Sequence, residues 1–443
     1  TFTVVTAHQP SLFTGPLYYI FKIISTINLA KRLAETYPTN NFVPIFITSG
    51  EDHDFSELNH LHIFGKTLTW ENSETGAVGN MKTASLRPVL DELKTLLGNS
   101  PEAENIFGIL EKTHSEYDRY ADAAFAFVHE LFKDDGLVIL NTNDAKLKRL
   151  FAPIIKDEIF NQTSHPIVNQ TIAKLEAAGF PAQATPREIN FFYLKDQIRE
   201  RIVRGGEHFK VINTDIYFTT AEMESEIENH PERFSPIVIT RPLFQEKILP
   251  NLAYVGGGGE IAYWLERKAQ FEQYGINFPM LVRRNSAMWI DPASSKRMDK
   301  LGLPIEDLWL ETEALIKTYL QRNAGDELQF GNEQNSLESI FKNMAEKAEN
   351  IDPTLVKTVW AEHAKALKSL EQLEVRLVRS EKQKHENAVQ QIRNLKEKLF
   401  PGNGLQERYD NFLPYYLKYG EAFFAQLKEH LEPLEKRFVV FKD

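Results

Sequence analysis

Short runs rich in β-branched residues alternate along this chain with longer stretches whose apolar positions recur every third or fourth residue. The runs are Thr3-Thr6, Phe42-Thr48, Leu137-Leu140, Ile237-Thr240, Leu252-Val255 and Pro279-Val282, each closed by polar or glycine residues. Between the first two, Leu17, Ile20, Phe21, Ile24 and Ile27 keep the spacing of an amphipathic helix, which makes a βαβ unit. Repetition of that unit predicts an α/β core with a mostly parallel sheet over residues 1–290. The segments near 66–135 and 180–235 break the alternation and read as insertions or satellite subdomains.

Beyond Asp291 the pattern turns helical. From Pro353 to Phe400 there is no internal proline or glycine, which predicts one long helix. Leu370, Leu373 and Leu377, then Ala388, Ile392, Leu395 and Leu399, keep a four-three seam, and polar residues from Arg379 to Asn387 interrupt it. Such a seam needs a facing helix, and the stretch from Leu337 to Ala348, turned back at Ile351-Asp352-Pro353, supplies one. Residues 291–400 therefore read as a helical region with a coiled-coil arm, and residues 401–443 are expected to pack back on the core.

Length refines this picture: 443 residues exceed a single core and fit two or three units. Charge removes a class of function. With 51 basic against 62 acidic residues the net charge is −11, so the whole molecule repels polyanions and nucleic acid is not an expected partner. The absence of cysteine excludes disulfides, thiolate metal ligands and a thiol nucleophile. No stretch approaches the ~18 apolar residues that span a bilayer, and no signal peptide opens the chain, so a cytoplasmic protein without membrane contact is expected. The chain starts at Thr1 within an apolar run, and further residues are expected to precede it in the natural protein.

Ligands of open parallel sheets bind outside the carboxyl ends of the strands, where loops face one crevice and helix N-termini point their amides into it. Residues that follow each predicted strand are thus the candidates. His8 and Gln9 follow the first, and Gly15 opens the helix that carries Tyr18 and Lys22 on one face. A cationic or hydrogen-bonding histidine beside exposed amides suits the phosphates of a nucleotide, or the charge that develops when a carboxylate attacks phosphorus. The plainer reading is a structural histidine, and Lys22 either adds positive charge or snorkels to solvent.

After the second strand come Glu51, Asp52, His53 and Asp54, with Glu57, Asn59 and His60 close behind. Their spacing matches no standard metal motif. The preferred role is to bind a substrate ammonium or act as a general base, with His53 and Asn59 orienting the carboxylates; a solvated acidic turn is the alternative. After the fourth come Arg241 and Gln245, after the fifth Gly256, Gly257, Gly258, Gly259 and Glu260, and after the sixth Arg284, Asn285 and Ser286. The glycines permit close approach of a phosphate or sugar but form neither a Walker loop nor a dinucleotide fingerprint. Arg241 and Arg284 suit bidentate contact with carboxylate or phosphate, or else structural ion pairs.

Taken in this order, the segments resemble the bacillithiol cysteine-adding family. The likeness is carried by HQPSLFTGPLYYIFK from His8 to Lys22, GEDHDFSELNH from Gly50 to His60 and RPLFQEKILP from Arg241 to Pro250. YVGGGGEIAYW from Tyr254 to Trp264, FPMLVRRNS from Phe278 to Ser286 and LFPGNGLQER from Leu399 to Arg408 complete it. The resemblance implies a Rossmann-like parallel-sheet core with connecting-peptide insertions, similar to class I aminoacyl-tRNA synthetases. It also implies a C-terminal antiparallel α-helical coiled coil that helps form a homodimer, and a ligase that adds cysteine to glucosamine-malate with amide formation.

His8, Gln9, Gly15, Tyr18, Asp52, His53, Asp54, Asn59 and Glu260 fall on the family's motif positions, while Gly258 and Ile237 depart from the residues usual at theirs. An amide does not form from a free carboxylate in water without activation. If ATP with magnesium supplies it, His8 and the helix start near Gly15 would steady phosphate, and Asp52 or Asp54 would hold or deprotonate the amine. Arg241 and Arg284 would take the malate carboxylates. No tightly bound metal or organic cofactor is expected. Two rival readings stand beside this one: a metal-dependent hydrolase centred on Asp52, His53 and His60, and a tRNA-binding synthetase-like protein, against which the net charge of −11 argues.

Overall fold

The computed structural model describes residues 1–324 and 330–442. Five of the β-branched runs pair into an all-parallel sheet in the spatial order Met280–Arg283, Asn251–Gly256, Phe2–His8, Phe42–Thr48, Val138–Asn141. Parallel strands covered on both faces need apolar residues in continuous runs, and Val4 and Val5 of the central strand are fully buried. The helix Tyr18–Thr36 makes the first crossover and buries Ile20, Ile23 and Ile24. The chain then builds outward through Phe42–Thr48 and Val138–Asn141 before it returns to the other side through Asn251–Gly256 and Met280–Arg283. The order reverses between Phe2–His8 and Asn251–Gly256, and at such a switch point the loops diverge and leave a crevice. His8 ends one of these strands and Gly256 the other.

Two additions hang on this frame. After the second strand come the hairpin His60–Ile63 with Lys66–Thr69 and the helices Arg87–Leu97, Pro101–Glu116 and Tyr120–Phe132. Between the third and fourth strands lies a five-stranded antiparallel sheet, Phe234–Pro236, Phe191–Lys195, Ile198–Gly205, His208–Val211, Tyr217–Thr219. It shares a core with the parallel sheet, since Phe191, Tyr193 and Ile202 cluster with Ile45, Ile47 and Tyr254.

The predicted strand Ile237-Thr240 is instead a turn that feeds the helix Arg241–Ile248, with the Thr240 amide donating to the Ile237 carbonyl at 3.0 Å. Pro236 closes the short strand before it, and Pro242 fixes a helical φ just after it. The β-branched residues in between are kept by burial of the turn: Ile239 is fully buried, and the Thr240 hydroxyl donates to the Asn190 carbonyl at 2.9 Å.

The chain divides into two units, Thr1–Ala287 with Glu407–Val439, and Met288–Gln406 with the residues from Val440. In the second, the helices Gly331–Ile351 and Leu355–Lys384 form an antiparallel pair, with Phe341 and His363 meeting at 5.3 Å between ring centroids. Asp352 organises the turn by accepting from the Thr354 amide at 2.9 Å. The helix predicted to run unbroken to Phe400 stops at His385, where ψ is 26°, and resumes as Glu386–Leu399. The break falls inside the polar interruption, where no apolar side chain holds the seam; beyond it Ile392, Leu395 and Leu399 are buried again.

Candidate active site

A cavity of about 520 Å³ lies at the switch point. Of the residues singled out from the sequence, His8, Gln9, Tyr18, Asp52, His53, Arg241, Gln245, Gly257, Gly259, Glu260 and Arg284 line it. Strand ends far apart in the chain therefore converge, as the parallel order requires.

His8 has a defined tautomer. Its Nδ1 lies 2.9 Å from the Gln9 carbonyl, which only accepts, so Nδ1 carries the proton and Nε2 accepts from the Tyr18 hydroxyl at 3.2 Å. Burial, reinforced by the charge of Lys22, lowers its pKa to about 4. The ring is neutral at pH 7 and offers hydrogen bonds, not a cation.

Asp52 is the ionised counterpart. Gln9 Nε2 donates to Oδ2 at 2.7 Å, the His53 amide to Oδ1 at 2.8 Å, and Arg199 Nη1 stands 3.8 Å from Oδ1. Burial alone would raise its pKa, but His53, the charges of Arg241 and Arg199, and Gln9 together hold the carboxyl well below the usual carboxylate range. Arg199 also donates to His53 Nδ1 and stacks over Phe192 at 4.3 Å. Burial lowers its pKa to about 10, which leaves it cationic. Arg199 and Phe192 belong to the antiparallel insertion and follow no parallel strand, so the rule that located the other residues had no means of finding them.

Lys22 neither snorkels nor reaches the cavity. It is 1% exposed, pairs with Glu260 Oε1 at 2.8 Å and donates to the Ala7 carbonyl. Glu260 further accepts from Tyr254 Oη and from the Gly257 amide, each at 2.8 Å, which fixes the start of the helix Gly258–Leu265 against the central strand.

The turn at Gly15 is tied up internally. Its φ of 60° and the 2.7 Å approach of an added Cβ to Ser11 Cβ demand glycine. Its amide donates to the Leu12 carbonyl at 2.8 Å, and its own carbonyl accepts from Asn411 Nδ2 at 2.6 Å. Both of its backbone groups are thus engaged within the fold, and the turn leads the chain into the helix that carries Tyr18.

Asp54 also leaves the site. It caps the helix Phe55–Leu58 by accepting from the Glu57 amide at 3.3 Å, while Asn59 Nδ2 donates to the Trp70 carbonyl at 3.2 Å. Asn285 Nδ2 bonds the Glu432 carbonyl at 2.8 Å, the Ser286 hydroxyl donates to Glu407 at 3.2 Å, and Gly256 and Gly258 lie outside the lining.

The charge balance of the cavity is informative. Asp52 faces Arg199, Glu260 faces Lys22, and Arg284 is neutralised by the buried Glu407 at 2.8 Å. Arg284 and Arg408 both stand over the Tyr18 ring, at 5.1 and 5.8 Å. Arg241 shares Asp52 with Arg199, and Arg408 forms no ion pair among the described residues, so the lining carries surplus positive charge. Arg408 was overlooked as a site residue although it closes the last matching stretch. Among the described residues no three His, Asp or Glu side chains converge as a metal site, and His60 turns its Nδ1 toward the Ser56 carbonyl at 3.2 Å. No described helix is long and apolar enough to cross a membrane.

Fold and site together define a Rossmann-like α/β protein with a charged crevice at its topological switch point and a second, coiled-coil unit. Comparison with known families makes this specific. The chain belongs to the BshC family: residues 1–285 match the model described as bacillithiol biosynthesis BshC, N-terminal Rossmann-like domain, and residues 287–442 the C-terminal coiled-coil domain. A "Putative cysteine ligase BshC" of Christiangramia forsetii is 42% identical over 99% of this chain and 82% of that protein. Proteins of the same name from Flavobacterium johnsoniae and Cytophaga hutchinsonii are 42% and 36% identical, over 99% and 98% of this chain and 82% and 81% of theirs.

Proposed function

We propose that this chain joins the carboxyl group of cysteine to the amine of glucosamine-malate, forming the amide of bacillithiol. The observation that carries the reading is the surplus positive charge of the cavity, where Arg199 and Arg241 share the ionised Asp52 and Arg408 has no ion-pair partner among the described residues, beside a neutral His8. An acceptor that brings both carboxylates and an amine is complementary to that set. Arg241, at the start of the helix Arg241–Ile248, takes a malate carboxylate. Asp52 holds the amine, and the Tyr18 hydroxyl passes its proton to His8 Nε2 as it takes one from the attacking amine. Arg284 is positioned through Glu407 and supports Tyr18.

Activation by ATP with magnesium belongs to this proposal. Gly259 borders the cavity in the first turn of the helix Gly258–Leu265 and would steady its phosphates. The nucleotide would turn a carboxylate oxygen into a leaving group. We place the reaction in the cytoplasm, with small molecules rather than nucleic acid or membrane as partners, and with a second copy of the chain paired through the arm.

The test is mass-spectrometric detection of product from cysteine and glucosamine-malate, with and without ATP and magnesium, in the wild type, Asp52→Asn and Arg241→Gln. ATP-dependent product that falls about a hundredfold in D52N, and a KM for the acceptor raised about tenfold in R241Q, are expected. Product without ATP removes the activation step. Wild-type protein that forms no product under any condition overturns the reading.

A further inference from the structure

A second cavity, of about 110 Å³, adjoins the first and shares His8, Gln9, Tyr18 and Arg408 with it as common wall. Its remaining lining includes Glu57, His60, His62 and Tyr409. The chamber is open at the exposed Glu57 and at the wall it shares with the first cavity, so a small ligand can lie partly in each.

Its chemistry is more selective than its size. Glu57 and Arg408 are opposite in charge, and neither has an ion-pair partner among the described residues. One carboxylate and one guanidinium on the wall of a small chamber are the complement of a zwitterion. His62 stacks on Tyr409 at 3.9 Å and engages Thr67 Oγ1 through Nδ1 at 2.9 Å. His60 Nδ1 faces the Ser56 carbonyl, so its proton sits there and Nε2 is left as an acceptor.

We propose that this side chamber is the amino-acid subsite: Glu57 takes the ammonium of a small free α-amino acid, Arg408 its carboxylate, and His60 and His62 a side chain that donates a hydrogen bond. The carboxylate then lies at the wall shared with the main cavity, beside His8, where an amine bound at Asp52 meets it. The naming of cysteine as that amino acid rests on the ligase reading; the recognition of a small zwitterion does not. Burial, with Asp54 and Asp52 nearby, raises the pKa of Glu57, and a bound ammonium relieves that cost.

Glu57 lines only the side chamber and is exposed, so Glu57→Gln tests the subsite without touching the main cavity or the core. Calorimetric titration of the full chain, with glucosamine-malate present and nucleotide absent, would compare cysteine with 3-mercaptopropionate, which lacks the ammonium, and cysteamine, which lacks the carboxylate. E57Q is expected to weaken cysteine about tenfold or more and leave 3-mercaptopropionate unchanged. Arg408→Gln should weaken cysteine and 3-mercaptopropionate but not cysteamine. Wild-type protein that does not bind cysteine, or E57Q that binds it as well as wild type does, overturns the proposal. Amide formation with an unchanged KM for cysteine in E57Q sinks the subsite and keeps the ligase; Glu57-dependent binding of cysteine without any amide product keeps the subsite and sinks the ligase.

Discussion

Protonating His8 would put a charge into a buried pocket that already holds Lys22, and His114, bonded through Nδ1 to the Leu110 carbonyl at 2.9 Å, is buried in the same way; both pKa values fall to about 4. An unfolded histidine takes its proton near pH 6.5. Between pH 6.5 and 4 the unfolded chain therefore binds more protons than the folded one, and stability drops as pH falls, by about 1.4 kcal/mol per unit for each such group. Glu246 works in the opposite direction. Burial, against hydrogen bonds from Asn251 and Gln245, raises its pKa to about 7, so its contribution is complete below the ordinary carboxylate range and is lost as pH rises toward 7. Urea unfolding of wild type and His114→Gln should show a stability difference that shifts in favour of the variant as pH falls from 6.5 to 4. Glu246→Gln should gain on wild type from pH 4.5 to 8, by up to about 3 kcal/mol; differences flat with pH would refute either assignment. Lys22 belongs at this scale as well. Lys22→Met leaves Glu260 as an uncompensated, mostly buried charge and is expected to cost about 3–5 kcal/mol, with part of the loss recovered in K22M combined with Glu260→Gln.

At the scale of elements, the turn from Ser11 to Leu17 shows how a local conformation sets a distance between two residues of the cavity. Phe13 and Thr14 have φ of 45° and 73° and Gly15 has 60°, and Asn411 holds the carbonyls of Phe13 and Gly15 at 3.1 and 2.6 Å. That geometry aims Tyr18 at His8. Gly15→Ala forces a Cβ into Ser11 and is expected to destabilise by about 1–3 kcal/mol, and to lower turnover by displacing Tyr18 from His8 Nε2; thermal melts and product assays read the two effects separately. The parallel strands were legible in the sequence because burial on both faces selects β-branched runs, and the site followed from them because ligands meet strand ends. The reading failed where that logic has no purchase. Ile237-Thr240 is β-branched because its turn is buried; Lys22 is a buried ion-pair partner that periodicity presents only as a helical neighbour of Tyr18; Arg199 comes from an antiparallel insertion whose proximity no spacing encodes. Arg284 and Arg408 differ only in that Glu407 neutralises the first, a pairing visible only once the late segment is folded against the sixth run.

At the scale of the whole molecule, a net charge of −11 coexists with a cavity whose lining is locally positive, so anions are attracted by the site and not by the surface at large. The cavity is built entirely from residues of the first unit, whereas the arm of the second leaves Ile340 and Met344 51% exposed, Leu373 47% and Val375 68%. Ile340 and Leu373 line one groove between the two helices of the arm, exposed apolar surface of this kind suits a partner, and for a coiled-coil arm the partner proposed is a second copy of the chain. Ile340→Glu with Leu373→Glu places charge on that surface without touching the cavity. Light scattering should then show a dimeric wild type and a monomeric double variant, with product formed per chain unchanged. A wild type that is already monomeric removes the dimer from the proposal. A monomeric variant that has lost activity would mean instead that the second copy is needed at the reaction itself.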